Sequence, residues 1–156
     1  MSDIALVWDN RLGIADIALA GPDLSRDDGL HSAVLLSLFT DARAATDDDL
    51  PAGDGDRRGW WGDTLSTDPA DHVGSRLWLL DREKRLPGVL ARVEAYASEA
   101  LAWLLTDGVA QRVTCSAAFV GADTVGLSVE IERPDGRHFQ KQFRHRFDSA
   151  WEAMTQ

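Results

Sequence analysis

Two adjacent tryptophans, Trp60 and Trp61, sit in DGDRRGWWGD, residues 54–63, a stretch otherwise made of glycine, aspartate and arginine. Indoles in a segment without core periodicity can fold back over a neighbouring apolar stripe or anchor a protein partner. The segments that match known reaction chemistry are fewer. Asp47, Asp48, Asp49, Asp54 and Asp56 form an acidic cluster, but no glutamate stands at the twelfth position of a calcium loop and Pro51 occupies a ligand position. The four histidines, His31, His72, His138 and His145, show no HxxxH or HExxH spacing, and His138 and His145 fall on opposite faces of one strand.

Nucleophilic chemistry is equally poorly supported. There is no GxSxG, and the lone Cys115, which excludes an intramolecular disulfide, lies on an apolar strand pattern that suits a buried small residue. GDGDRRG has the glycines of a phosphate loop without their order, and its aspartates repel phosphate. Glu94 or Glu99 with a loop aspartate meets the minimal demand of glycoside hydrolysis, as would carboxylates of any acidic protein. Arg133, Arg137, Lys141, Arg144 and Arg146 interleave with Phe139, Phe143 and Phe147, a pattern that can bind single-stranded nucleic acid. Strand parity buries the phenylalanines and turns Arg144 and Arg146 away, so the rings are not available to bases. No cofactor, metal or nucleic-acid pattern emerges.

The elements that must position these residues follow from periodicity. Ile4, Leu6 and Trp8 share a parity, Asp9-Asn10 makes a turn, and Leu12, Ile14 and Ile17 return, giving an N-terminal hairpin over residues 1–20. GPDLSRDDG, residues 21–29, reads as a loop in which Asp27 or Asp28 caps a helix over 30–44, with Leu30, Val34, Leu35, Leu38 and Ala42 on one stripe. Residues 45–74 then lack a sustained period, and so long a structureless stretch is more often functional than idle. A short helix over 75–84 carries Leu77, Trp78 and Leu80. A longer one opened by Pro87 runs to residue 106, with Leu90, Val93, Ala97, Ala100, Leu101 and Leu104 inward and Gly108 as its stop.

From residue 109 to 147 the period changes to two. Val113, Cys115, Ala117 and Phe119, then Val125, Leu127, Val129 and Ile131, then the three phenylalanines predict an antiparallel three-strand meander with turns at 121–123 and 134–136. Its other face carries Glu130, Glu132, Gln140, Gln142, Arg144 and Arg146, and a last short helix is expected over 148–154. The fold class is α+β: two to three helices on one face of a small antiparallel sheet, within a single domain over 1–156.

Charge is divided unevenly. Residues 1–81 hold sixteen aspartates, no glutamate and six arginines, whereas residues 82–156 hold ten charges of each sign. An acidic half disfavours nucleic acid and anionic lipid and favours a basic protein partner. No apolar run reaches the roughly 18–20 residues that span a bilayer. The start, MSDIALVWDN, lacks the pattern of a signal peptide, so synthesis in a cytoplasm is expected.

Several ordered segments together carry a resemblance. LVWD, DLSRDDGLHSAVLLSLFTDARA, RRGWWGD, GSRLWLLDREK and EALAWLLTDGVA resemble, in that order and over about residues 1–135, the phage Mu-type baseplate wedge proteins, which look like relatives of the lysozyme-like wedge protein of contractile tails. The resemblance implies a structural protein of a phage or prophage tail baseplate that docks other wedge, tube or spike proteins, and binds neither nucleic acid nor membrane. It also implies alternatives, a peptidoglycan hydrolase by the lysozyme-like label or a small prophage adaptor. The wider group's Glu-Pro-Arg tripeptide after the last long helix is replaced here by Leu-Leu-Thr-Asp-Gly, residues 104–108, so its contacts do not carry over. Within the narrower group the matching positions are residues 59–63 and 74–80. The expected partner-binding set is therefore Trp60, Trp61, Gly74, Ser75, Arg76, Leu77 and Trp78, with one tryptophan anchoring the loop and the other facing a partner.

Overall fold

A computed structural model describes residues 3–9, 14–24, 26–27, 29–68, 71–83, 86–146 and 151–153. The period-two region forms its sheet. Strands β7 (Arg112–Phe119), β8 (Thr124–Glu132) and β9 (His138–Arg146) run as an antiparallel meander, and β10 (Trp151–Ala153) extends it beyond β9. The register sets Cys115 against Val129, Leu127 against Phe143 and Ile131 against Phe139. A period of two then gathers the apolar side chains of successive strands onto one face. Val125, Leu127, Val129, Ile131 and Phe143 are buried there, while Glu130, Gln140, Gln142, Arg144 and Arg146 are exposed on the other face. His145 is also buried, opposite Val125, whereas His138 is exposed.

The helix expected over 148–154 is corrected in part. Residues 151–153 are a strand pairing Trp151 with His145 and Ala153 with Phe143, because the edge of β9 offers the backbone a ladder. Phe147 and the remainder of that segment lie outside the described residues.

Helices α1 (Leu30–Phe39), α2 (Val89–Ala100) and the single turn α3 (Trp103–Thr106) cover the apolar face. Leu30, Val34, Leu35 and Leu38 of α1 and Val89, Val93 and Ala97 of α2 join Leu101, Leu104 and the sheet residues in one core. Each fully buried aliphatic side chain of this kind contributes about 1.5–3 kcal/mol relative to an exposed one. The helix expected over 30–44 stops early. Thr40 turns to an extended backbone (φ −85°, ψ 137°) and its carbonyl accepts the Ser75 N–H at 2.9 Å, so Ala42 lies beyond the helix. The N-cap is Gly29, with φ 81° and no side-chain hydrogen bond, in place of Asp27 or Asp28.

Two further expectations change in the same region. The long helix begins after Gly88 instead of at Pro87 and breaks at Leu101 (φ −101°, ψ 1°). The break lets Leu101 and Leu104 both reach the core and brings the Trp103 indole N–H to within 3.0 Å of Ser37 Oγ on α1. The helix expected over 75–84 contracts to a 3-10 turn, Leu77–Leu80.

At the N-terminus β2 (Leu6–Asp9) and β3 (Ile14–Ile17) form the expected hairpin, with its connecting residues 10–13 outside the described residues. The segment read as a loop is partly strand: β4 (Leu19–Ala20) pairs with β5 (Asp23–Leu24), and β1 (Asp3–Ile4) with β6 (Arg26–Asp27). Trp8 stacks on Phe39 at 4.5 Å and Phe39 meets Phe143 edge-on at 5.0 Å, joining ribbon, helix and sheet. Ser32 Oγ accepts the Leu6 N–H at 2.9 Å and donates to the Ile4 carbonyl at 3.3 Å, which fixes the ribbon to α1.

Candidate functional site

Two arginines and two aspartate turns shape this part of the central loop. Asp54 and Asp56 each accept a backbone N–H two residues along, from Asp56 and Arg58, which is the local turn chemistry aspartate favours. Arg57 donates to the carbonyls of Ala45 and Thr46, and the Ala44 N–H returns to the Arg57 carbonyl at 2.9 Å. Arg58, at φ 48°, reaches Asp41 at 2.8 Å and lays its guanidinium over the Trp78 ring at 4.5 Å. Residues 41–46 and 56–59 are thereby held side by side without a continuous ladder. The aspartates carried a readable turn signal; the reach of Arg57 and Arg58 across the loop had none.

GSRLWLL, expected to contribute to the docking surface, is placed inside. Gly74 has φ 105°, and a Cβ there would lie 2.3 Å from the Thr40 carbonyl oxygen. That close approach lets Asp41 and Ser75 bridge in parallel, with the Ala42 N–H bonded to the Ser75 carbonyl at 3.0 Å. Buried Ser75 donates through Oγ to the Leu38 carbonyl at 2.5 Å and accepts the Leu77 N–H at 3.2 Å, joining the end of α1 to the start of the 3-10 turn. Leu77, Trp78, Leu79 and Leu80 are all buried, and the Trp78 indole donates to the Ala42 carbonyl at 2.8 Å.

Arg76 bridges Asp48 (3.2 Å) and Glu99 (2.7 Å) over the Tyr96 ring at 4.7 Å. Burial by itself lowers the Arg76 pKa, but its hydrogen bonds to Glu99 and Asp48 outweigh that and raise it. The guanidinium is therefore a structural clamp.

The tryptophan pair is placed outside. Trp61 opens a 3-10 helix, Trp61–Leu65, and is 71% exposed; Leu65 is 73% and Trp60 41% exposed. The rings lie 5.6 Å apart, and the Trp60 ring covers Gly62 so closely that a Cβ there would fall 2.2 Å from it. Gly59, at φ 112°, would meet Arg43 Cβ at 2.9 Å if it carried a side chain. Thr64 Oγ1 donates to the Trp61 carbonyl at 2.6 Å, and Asp63 accepts the Val73 N–H at 3.1 Å. Trp60 thus packs on its own turn, while Trp61 and Leu65 face solvent from a braced backbone.

The residues that could carry reaction chemistry have other uses here. Glu94 accepts the Ala117 N–H at 2.8 Å on strand β7, and Glu99 is held by Arg76. Burial raises the Cys115 thiol pKa, with Ser98 opposing, which lowers its thiolate fraction. Among the described residues no three His, Cys, Asp or Glu side chains are grouped to hold a metal ion, and no helix is long and apolar enough to cross a membrane.

The Asp81 carboxyl is displaced upward, from 3.8 to about 6, by burial first, with Arg58 opposing and Asp41 adding to the rise. Since the folded value exceeds the unfolded one, the stability it contributes is complete below 3.8 and lost as pH rises through about 6. Asp81→Asn removes that loss. It should stabilise the protein at about pH 7.5 by on the order of 1 kcal/mol, after discounting for solvent screening, and give no gain near pH 3.8 or below. Melting curves of both proteins at the two pH values check this, and an equal gain at both would refute it.

Comparison with known proteins places the chain. A family model described as Phage protein GP46 matches residues 30–138, from the first residue of α1 to the first of β9. Over 148 residues the chain is 43% identical to "Baseplate protein gp46" of Escherichia phage Mu, covering 95% of this chain and 99% of that protein. Over 144 residues it is 41% identical to "Mu-like prophage FluMu protein gp46" of Haemophilus influenzae, covering 92% and 96%.

Proposed function

The chain belongs to the GP46 family of phage proteins, and from that premise we propose that it is a structural protein of a phage or prophage tail baseplate. Near-complete colinearity with a protein named for the baseplate carries this reading. In its finer form, the protein docks wedge subunits near the tube and spike of a contractile tail, is made in the host cytoplasm, and works without catalysis. Its partners are other wedge, tube or spike proteins. The interior supports a scaffold: GSRLWLL is built into the fold, and the braced Trp60-Trp61 turn is left to meet a neighbour. Glu94 and Glu99, the helix carboxylates nearest to a hydrolase reading, are engaged in holding β7 and Arg76.

Pull-down of the adjacent wedge subunit tests the docking role. Trp60→Ala/Trp61→Ala protein, shown to fold by its melting curve, should bind at least about a hundredfold more weakly, since aromatic anchors cost about 2 kcal/mol or more each on truncation. Undiminished binding removes the loop from the interface. Purified protein should leave the turbidity of a peptidoglycan suspension unchanged, and clearing of the suspension would instead support the hydrolase.

A further inference from the structure

The side chain that meets the Trp60-Trp61 turn has a recognisable chemistry. Resting on the docking role above, we propose that this turn receives an arginine-bearing segment of a neighbouring baseplate subunit, with a guanidinium stacked on the exposed face of Trp61 and its aliphatic neighbours against Leu65. Three observations converge on this occupant.

The first is preorganisation: Trp61 is 71% and Leu65 73% exposed, yet both sit on a short helix braced by the Thr64 and Asp63 hydrogen bonds and by the Trp60 ring lying on Gly62. A ring held in place before binding loses little freedom when a partner arrives. The second is charge. Residues 59–75 contain Asp63, Asp68 and Asp71 and no lysine or arginine. Asp63 accepts the Val73 N–H and faces His72 Nδ1 at 3.8 Å, and the exposed Asp71 accepts a hydrogen bond from Ser66 Oγ at 3.1 Å just past the end of the helix. An electron-rich indole face among carboxylates attracts cations and repels nucleic acid and anionic lipid.

The third is that the protein already uses this pairing on its own rings. Arg58 covers Trp78 at 4.5 Å and Arg76 covers Tyr96 at 4.7 Å, each guanidinium also held by carboxylates. The segment that carries Trp61 holds the carboxylates of Asp63, which faces His72 Nδ1 at 3.8 Å, and of Asp71, held on Ser66 past the end of the helix, and has no arginine of its own. Arginine suits the position better than lysine because its planar guanidinium stacks on a ring and hydrogen-bonds a carboxylate at once.

The test uses the full chain during prophage induction, with a benzophenone amino acid at position 61, followed by irradiation and mass spectrometry of the cross-linked peptide. The expected product joins position 61 to a segment of another baseplate subunit with an arginine within about two residues of the cross-link. In a parallel pull-down of that subunit, Asp71→Lys should weaken binding at least tenfold, and Trp61→Phe should retain more of it than Trp61→Leu. A cross-link to a segment without arginine overturns the proposal. So does assembly into baseplates with no cross-link at position 61, or an Asp71→Lys protein that binds normally; these results leave the baseplate function standing. A wild-type chain that enters no baseplate overturns that function and this inference together.

Discussion

Gly74→Ala should cost about 3–5 kcal/mol of stability, the sum of a strained backbone and several disrupted buried hydrogen bonds. The added Cβ would stand 2.3 Å from the Thr40 carbonyl oxygen and 2.8 Å from its carbon, both main-chain atoms that no rotamer change can move. At φ 105° the residue is also in a conformation that side chains resist. Relief requires the chain to separate at the bridge between Asp41 and Ser75, which breaks the Ser75 N–H bond to Thr40, the Ala42 N–H bond to Ser75 and the Ser75 Oγ bond to Leu38. Those bonds align Leu77 and Leu80 with the core. Typical domains have only about 5–15 kcal/mol in total, so the variant should melt far below the parent or fail to fold. Urea unfolding is the measurement, and an unchanged midpoint would show that this junction is not as tight as its geometry implies.

Phe143→Ala should lose a similar amount, about 3–5 kcal/mol, through the cavity left by a large buried ring. Phe143 is fully buried between Leu127 across the ladder and the edge-on ring of Phe39. The loss should also spread in one direction. Phe39 stacks on Trp8, so removing Phe143 leaves the β2–β3 ribbon with a looser support on α1. Hydrogen exchange should therefore accelerate at residues 6–8 more than at the β7–β8 ladder, which α2 and α3 still cover. Uniform acceleration would show that the ribbon is not coupled to the sheet through this aromatic path. A double-mutant cycle between Phe39→Leu and Phe143→Leu should give a coupling of about 0.5–1.5 kcal/mol.

These two sites differ in how visible they were. Phe143 belongs to an alternation that runs through Val125, Leu127, Val129 and Ile131, and a period of two assigns such residues to a common face wherever the strand sits. Gly74 was marked only as a position of the resembling segment, and its need for glycine arises from the approach of residue 40, distant in sequence. Helix ends are set by distant residues for the same reason. Local propensity continues past Phe39, yet Thr40 is claimed by Ser75; it continues through Leu101, yet the chain turns there and Trp103 reaches Ser37. The strand at 151–153 likewise depends on the free edge of β9.

The apolar alternation of the meander, the stripes of α1 and α2 and the concentration of aspartate before residue 82 were all determined by the sequence itself, because each is a property of neighbours along the chain. Residue order also determined the family, since long colinear identity needs no coordinates. Only the tertiary structure decided which aromatic segment faces outward. The DRRGWW and GSRLWLL stretches offer the same residue types, and exposure is a property of what arrives from elsewhere: Leu38, Thr40 and Ala42 bind Ser75 and Trp78 and carry them inward, while Trp60 and Trp61 find only their own glycine-braced turn. Burial is set by contacts between residues far apart in sequence, and so it was the fold that buried one aromatic segment and left the other exposed.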